Sequence, residues 1–388
     1  MADLPLLGVK VLDFSRVLAG PLSAMVLGDL GADVLKIEHP LRGDDTRDWG
    51  LPIAPGDTTY FYSFNRNKRS ATFDLASAEG QAAVKRLVKE ADVVVENFKA
   101  GGMEQFGLGY EALRAINPKL IYCAISGYDR AGPEAARPGY DLVVQGESGL
   151  MSINGEADRP PLKLGIAAVD LFTGMYAAQG ILAALFQAER TGQGKRIDLA
   201  LYDCGVVLSS YYGLEALLMD KDPPRVGNAH PSIVPYGVFE AADGPLVIAV
   251  GNNEQFRNFC TDVLGRPDLA DDERYDTNLK RARNREALLS VLDAELATHK
   301  RADLLQSLTR NRIPCGEVLG LHEALVSNRT ADAGIIGTHD RPGAGQVHVM
   351  SPPWRFDGER LPVRRPPMLG EHNDEVAAEL AKISGEAL

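Results

Sequence analysis

A chain of 388 residues is long for one ordinary core and points to two domains or one elaborated domain. Apolar residues at 45% and charged residues at 24% make a globular balance, which excludes a disordered or fibrous protein. With 41 Lys and Arg against 53 Asp and Glu the net charge is −12, which argues against a nucleic-acid binder and obliges any polyanionic ligand to find a local basic pocket.

The N-terminal half alternates strand and helix patterns. Residues 9–14 form an expected strand, 21–30 a helix with Pro21 in its first turn, and 33–38 a second strand. A strand over 70–74 precedes a helix over 77–91, where Ser77 is the expected N-cap and Ala83, Leu87 and Ala91 repeat at helical spacing. Strands over 92–96 and 119–126 flank a short helix at 110–115. Apolar strands separated by helices predict a parallel sheet covered on both faces, a Rossmann-like α/β layout. A Gly- and Pro-rich stretch, 129–139, leads to a helix from about Tyr140 and then to a long helix carrying Asp170.

The expected strand 195–201 and a helix through Met219 end at Pro223-Pro224, a boundary because proline stops a helix. Beyond it, 236–240 and 246–250 flank an Asp-Gly turn and predict a hairpin. Helices are expected at 255–264, 285–298, 302–308 and near Glu375. The resulting division is a large domain over 1–200 completed by 345–388, a linker over 201–225, a small α+β domain over 226–330, and a return linker and C-terminal segment over 331–388 that packs on the large domain.

The four cysteines are widely spaced and read as buried thiols in a reducing, cytoplasmic compartment. No targeting segment is expected. Residues 164–187 are nearly uncharged and long enough to span a membrane, but they contain Asp170 and three glycines and lack aromatic belts and basic flanks. With a mean hydropathy of −0.13 for the chain, a buried helix of a soluble protein is the expectation.

Several chemistries are missing from the sequence. There is no GxxxxGK[ST], no HExxH, no GxSxG and no clustered histidine, so a P-loop, a metal site and a serine-hydrolase elbow are not expected. The turn after the first strand, Ser15-Arg-Val-Leu-Ala-Gly-Pro21, holds one glycine instead of GxGxxG; Glu38 alone mimics the ribose acid of a dinucleotide fold.

Asp170 is the sole charged side chain between Lys163 and Glu189. A desolvated carboxylate costs several kcal/mol unless compensated, and free N–H groups at a helix start can offset part of that cost. It reads either as a helix cap or as a nucleophile toward an activated acyl group. The run Asn65-Arg-Asn-Lys-Arg69, with Arg42, Arg47 and Arg137, is a phosphate site or a solvated basic loop. Gly227 to Pro231 is a mobile lid or an interdomain turn.

Residues 11–21, 28–38, Asn65 to Ser70 and Val95-Glu-Asn-Phe98 resemble the class III CoA-transferases. So do Ile125 to Tyr128, the Asp170 helix, Thr191 to Gly194 and Leu369-Gly-Glu-His372, so the resemblance runs nearly end to end. It implies a Rossmann-like large domain with a parallel sheet, a smaller α+β domain, and an interlocked homodimer. It places Asp170 as the catalytic aspartate that attacks acyl-CoA, with helix-start N–H groups as oxyanion donors. Acyl-CoA enters as substrate and no cofactor is permanently bound.

By position, coenzyme A contacts are implied at Leu18, Ala19, His39, Phe73, Asn97, Phe98, Gln105 and Arg137. Leu18, His39 and Gln105 differ from the residues of formyl-CoA transferase, and Gly227 to His230 replaces its four-glycine loop, so a formyl/oxalate pair is not expected. His230 to Tyr236 and Val250 to Phe256 are similar to the succinyl-CoA:glutarate type. A dicarboxylate acceptor needs a cation, for which Arg16, Arg47 and Arg66 are candidates. Tyr140, Asn228 and His230 are the remaining substrate candidates. The alternatives are a 2-methylacyl-CoA racemase, which lacks its histidine because Tyr140 stands there, and a CoA-binding protein without turnover.

Overall fold

A computed structural model describes residues 4–383. They divide into two compact units: the chain up to Leu150, Lys163–Leu214 and the chain from Asn328 form the first, and Met151–Leu162 with Glu215–Ser327 the second.

The first unit is built on six parallel strands: β1 (Lys10–Asp13), β2 (Asp33–Glu38), β3 (Lys68–Thr72), β4 (Val93–Glu96), β5 (Ile121–Ser126) and β6 (Arg196–Ala200). Their order is β3-β2-β1-β4-β5-β6. The order reverses between β1 and β4, and in such sheets ligands bind outside the carboxyl ends at that point. Strands covered on both faces read as continuous apolar runs; β4 is buried throughout.

The helices that matter for the site are α1 (Ala19–Asp29), α2 (Ala78–Val88), α3 (Tyr110–Ile116), α4 (Asp141–Glu147) and α5 (Ala168–Thr191). Every residue of α1 is buried, which accounts for its apolar composition. Ser77 caps α2 as expected, its Oγ accepting from Gly80 N at 3.0 Å. In length and composition α5 suits a membrane span. Here Val169, Thr173, Ala177, Ile181 and Ala184 bury one stripe of it in the sheet-and-helix core.

The chain returns to this unit with an antiparallel hairpin, Ile336–Arg341 and Gly345–Met350, and a helix at Asn373–Ile383. Leu369-Gly-Glu-His372 stitches this return onto β3: His372 N donates to Ser70 O, Ser70 N to His372 Nδ1, and Thr72 N to Asn373 Oδ1. The second unit carries a three-stranded antiparallel sheet, with the expected hairpin at Tyr236–Ala241 and Gly244–Ala249 and a third strand at Cys315–Glu317.

Three expectations need correction. Residues 201–214 are helical (Leu201–Leu208, then Ser210–Met219) and belong to the first unit up to Leu214, so they are not a linker. Met151–Leu162, expected in the large domain, belongs to the second unit, where Arg225 binds the carbonyls of Glu156 and Arg159. The helix expected over 255–264 divides into Asn253–Asn258 and a π-helical turn at Phe259–Val263.

Candidate active site

Helix α5 begins without a capping side chain of its own, because Ala167 stands at the N-cap. The cap comes from α4: Asp141 Oδ1 accepts from Val169 N at 2.8 Å and Asp170 N at 3.2 Å. Gln145, one turn along α4, braces it. Its Nε2 donates to Asp141 Oδ2 at 2.6 Å and Ile166 O at 3.3 Å, and its Oε1 accepts from Leu164 N at 2.8 Å.

Asp170 therefore sits in the first turn with the nearby amides already taken. Among the described residues no donor binds its carboxylate. Burial, with the Asp141 charge adding to it, pushes its pKa up to about 7. The expectation that helix-start N–H groups serve an oxyanion is corrected here, since Asp141 occupies them.

One turn beyond Asp170, Gly174 lets α5 approach α1. A side chain there would meet Ala19 O at 2.7 Å and Leu22 at 2.9 Å. That contact sets Asp170 against the start of α1, and both open on a cavity of about 250 Å³. Its walls come from the loops that follow β1, β4 and β5, around the sheet's reversal. Gly127 and Gly139 bring the Arg137–Tyr140 loop onto the end of β5, since a Cβ on either would lie 2.6 Å from the other's Cα.

The loop after β1 is strained and tightly held. Val17 has φ +72°, a costly conformation for a β-branched residue. Asn97 clamps the preceding residue from both sides, accepting from Arg16 N at 2.8 Å and donating to Arg16 O at 2.7 Å. Val17 N donates to Asp44 Oδ1 at 3.2 Å. Burial would raise the Asp44 carboxyl, but the Lys36 ammonium at 2.8 Å and donors from Thr46 hold it down at about 2.

A second cavity of about 270 Å³ shares Arg16, Asp45 and Phe98 with the first and extends past His39, Arg42 and Phe73. Of the residues expected in the site, Leu18, Ala19, Asn97, Arg137 and Tyr140 join Asp170 in the first cavity. His39 and Phe73 line the second, and Arg16 and Phe98 line both. Arg16 lies 5.5 Å over the Phe98 ring and pairs with Asp45 at 3.2 Å, both side chains nearly half exposed.

Other expected residues are engaged elsewhere. Arg47 is buried in two ion pairs, to Glu38 at 2.7 Å and Asp57 at 3.3 Å, and lies 3.7 Å from the Phe61 ring centre. Arg66 pairs with Asp29 at 2.5 Å. Neither lines either cavity, because buried carboxylates need their guanidinium groups. Gln105 is exposed, with its amide donating to Gly102 O at 3.0 Å, and lies outside both cavities. Asn228 and His230 belong to the second unit, where His230 Nδ1 accepts from Ser232 N and Ile233 N and its ring lies 5.2 Å from Tyr236.

The basic run 65–69 is neither a phosphate site nor a solvated loop. Lys68 is fully buried on Asp13 at 2.8 Å, and Arg69 binds Asp33 at 2.7 Å and Glu379 at 2.9 Å.

Sequence reasoning missed Asp141, Lys99 and Tyr60. Lys99 lines the Asp170 cavity. Burial, and next the Asp170 charge, push the Tyr60 hydroxyl up to about 12, so it stays protonated at neutral pH. Asp141 had a readable signal: a helix start lacking Ser, Thr, Asp or Asn at its N-cap needs a donor-satisfying group from another segment. Asp141 and Gln145 at i, i+4 on a short helix supply one.

A basic carboxylate that lines a cavity and, among the described residues, binds no donor is equipped for nucleophilic attack on an acyl carbon. The model of CoA-transferase family III matches residues 6–373. The succinate–glutarate CoA-transferase of Agrobacterium fabrum is 43% identical, covering 99% of this chain and 97% of that protein. The mouse succinyl-CoA:glutarate CoA-transferase is 40% identical over 99% of this chain and 88% of its own. A CaiB/BaiF family protein from Brucella suis, solved by crystallography, superposes with a TM-score of 0.86 at 43% identity, covering 97% of this chain and 99% of that one. The carboxylate at the sheet's reversal and these end-to-end matches have one reading: the chain belongs to CoA-transferase family III and is a CoA-transferase enzyme.

Proposed function

We propose that this enzyme moves coenzyme A from succinyl-CoA to a dicarboxylic acid such as glutarate, with Asp170 as the nucleophile. The observation that carries the reading is the place of Asp170, lining a cavity at the carboxyl ends of β1, β4 and β5 with no donor to its carboxylate among the described residues; burial pushes its pKa up to about 7. The relatives named for succinate and glutarate support the substrate class.

The chemistry balances as four transfers. An Asp170 oxygen adds to the thioester carbonyl carbon, the C–S bond breaks, and coenzyme A leaves as thiolate from a mixed anhydride. The thiolate attacks the aspartyl carbonyl, releasing the donor as its free carboxylate and leaving an aspartyl-CoA thioester. The acceptor carboxylate then displaces the thiolate, and the thiolate attacks the new acyl group to regenerate Asp170. One thioester replaces another, so no nucleotide energy source is required. First-turn amides of α1, at Ala19 beside the cavity, supply oxyanion donors in place of those Asp141 occupies. Coenzyme A lies with its nucleotide end toward His39, Arg42 and Phe73 and its thiol end past Arg16 and Phe98 toward Asp170.

A racemase needs an imidazole beside Asp170. Among the described residues no histidine lines that cavity, and Tyr140 stands at the position. The cytoplasmic homodimer belongs to this same reading. Large apolar side chains stand exposed on the first unit, among them Phe186, Val207 and Leu214, and a second interlocked copy covers such surface.

Arg16 is the cation for the acceptor's distal carboxylate. Its partner Asp45 is a half-exposed, weakly held ion that a bidentate substrate displaces. Incubated with succinyl-CoA and glutarate, itaconate, mesaconate, malate or hydroxymethylglutarate, the wild type yields new acyl-CoA products by mass spectrometry. Arg16→Ala raises the dicarboxylate KM about 10- to 100-fold, the value of one charge-assisted contact. The clamp of Asn97 on the Arg16 backbone survives that change, so an unaltered preference for dicarboxylates contradicts the assignment.

A further inference from the structure

Asp141 takes no part in the reaction scheme above, yet it is the group most closely coupled to its nucleophile. Five hydrogen bonds converge on the start of α5. Asp141 Oδ1 holds the amides of Val169 and Asp170, and Gln145 ties Asp141 Oδ2, Ile166 O and Leu164 N into the same corner. A neutral cap would satisfy those amides equally well. A carboxylate does so while adding a negative charge beside a second carboxylate that has no donor among the described residues, which is an expensive choice for a purely structural cap.

We infer that Asp141 is a positioning residue for Asp170: it removes the helix-start donors from the nucleophile, fixes its approach to the cavity, and sets a like charge against it that acylation relieves. This inference rests on the assignment of Asp170 as nucleophile. When an Asp170 oxygen bonds to the acyl carbon and the C–S electron pair leaves on the sulfur of coenzyme A, the negative charge leaves position 170. The repulsion from Asp141 disappears at that moment, so the covalent states are favoured over the free carboxylate. A cap that instead surrendered its amides to Asp170 would stabilise the free carboxylate and dull its attack.

The other charged or titratable groups around Asp170 are accounted for. The Tyr60 hydroxyl approaches from the helix Thr59–Phe64 and stays protonated at neutral pH. Asp44 is neutralised by Lys36. Arg16 is paired with Asp45, and Arg137 with Glu134 and Glu147. Lys99 and Tyr140 line the cavity from the loops after β4 and before α4. Burial and Asp141 are the causes of the raised Asp170 carboxyl.

The test uses Asp141→Asn and Asp141→Ser, each of which keeps an oxygen acceptor for the two amides and removes the charge, in the full-length enzyme. The readouts are the titration of the Asp170 carboxyl by 13C NMR, assigned with Asp170→Asn, and the pH profile of transfer. Both variants are expected to move the Asp170 titration and the acid limb of the profile down by about one pH unit or more. They are also expected to lower the fraction of enzyme trapped as aspartyl-CoA thioester at saturating acyl-CoA. If titration, limb and trapped fraction all stay at wild-type values, or if neither variant folds, Asp141 is only a structural cap and the inference is overturned. The NMR titration needs no turnover, so it separates this failure from a failure of the nucleophile assignment, in which Asp170→Asn would still transfer coenzyme A.

Discussion

Asp170→Asn is expected to abolish coenzyme A transfer, by at least about 10⁴-fold, while making the protein more stable at pH 8. Both effects have one cause. Burial first, and Asp141 second, raise the Asp170 carboxyl from 3.8 to about 7. The folded state thus holds a proton that the unfolded chain releases at lower pH, so stability falls as pH rises from the unfolded value to the folded one. Above about pH 7 the whole penalty is present, on the order of 4 kcal/mol for a shift of this size. Asparagine keeps the shape and removes the charge. Melting curves should show the variant well above the wild type at pH 8 and level with it near pH 4. Equal melting temperatures at pH 8 would mean that Asp170 is solvated or paired. The same ionisation predicts that wild-type transfer falls as pH drops below about 7, because the attacking form is the carboxylate.

The second large effect separates two arginines that look alike in sequence. Arg47→Met leaves Glu38 buried with only the Ser70 hydroxyl at 2.6 Å and the Asp44 amide at 3.0 Å, while Asp57 loses its Arg47 contact at 3.3 Å but keeps Arg341 at 2.8 Å. Breaking a buried pair from one side costs about 3–5 kcal/mol, and here Glu38 is the carboxylate left without a cation. The urea midpoint should drop accordingly. Arg47→Lys should recover part of the loss, since one ammonium cannot span Glu38, Asp57 and the Phe61 face together. Whatever folded enzyme remains should keep the wild-type preference for dicarboxylates. A stable Arg47→Met enzyme with altered acceptor preference would make Arg47, rather than Arg16, the substrate's cation.

The sheet was legible because its strands are apolar runs of the right length between amphipathic helices, and Ser77 announced its helix by ordinary cap chemistry. Asp170 stood out because a charge inside a long apolar helix demands an explanation. Where sequence reasoning failed, the reason was pairing at a distance. Lys68 and Arg69 look like a basic loop until Asp13, Asp33 and Glu379 are folded against them. Arg47 looks free until β2 delivers Glu38. No spacing rule links residues 47 and 38 with 57, or 66 with 29. Pro223 and Pro224 mark a stop in the sequence but not where the first unit ends, so the helices over 201–214 cannot be assigned to a unit from the sequence pattern alone. Asp141 gives no local sign of its role, since the residue it caps lies 28 positions on; the clue is the start of α5, where Ala167 offers no cap.

The central claim is that Asp170 itself becomes acylated. Enzyme is incubated with succinyl-CoA, quenched with hydroxylamine during turnover, digested and mapped by mass spectrometry. The account predicts a hydroxamate at Asp170 that requires acyl-CoA and is absent when coenzyme A alone is supplied. An unmodified Asp170 in enzyme that still transfers coenzyme A would contradict it.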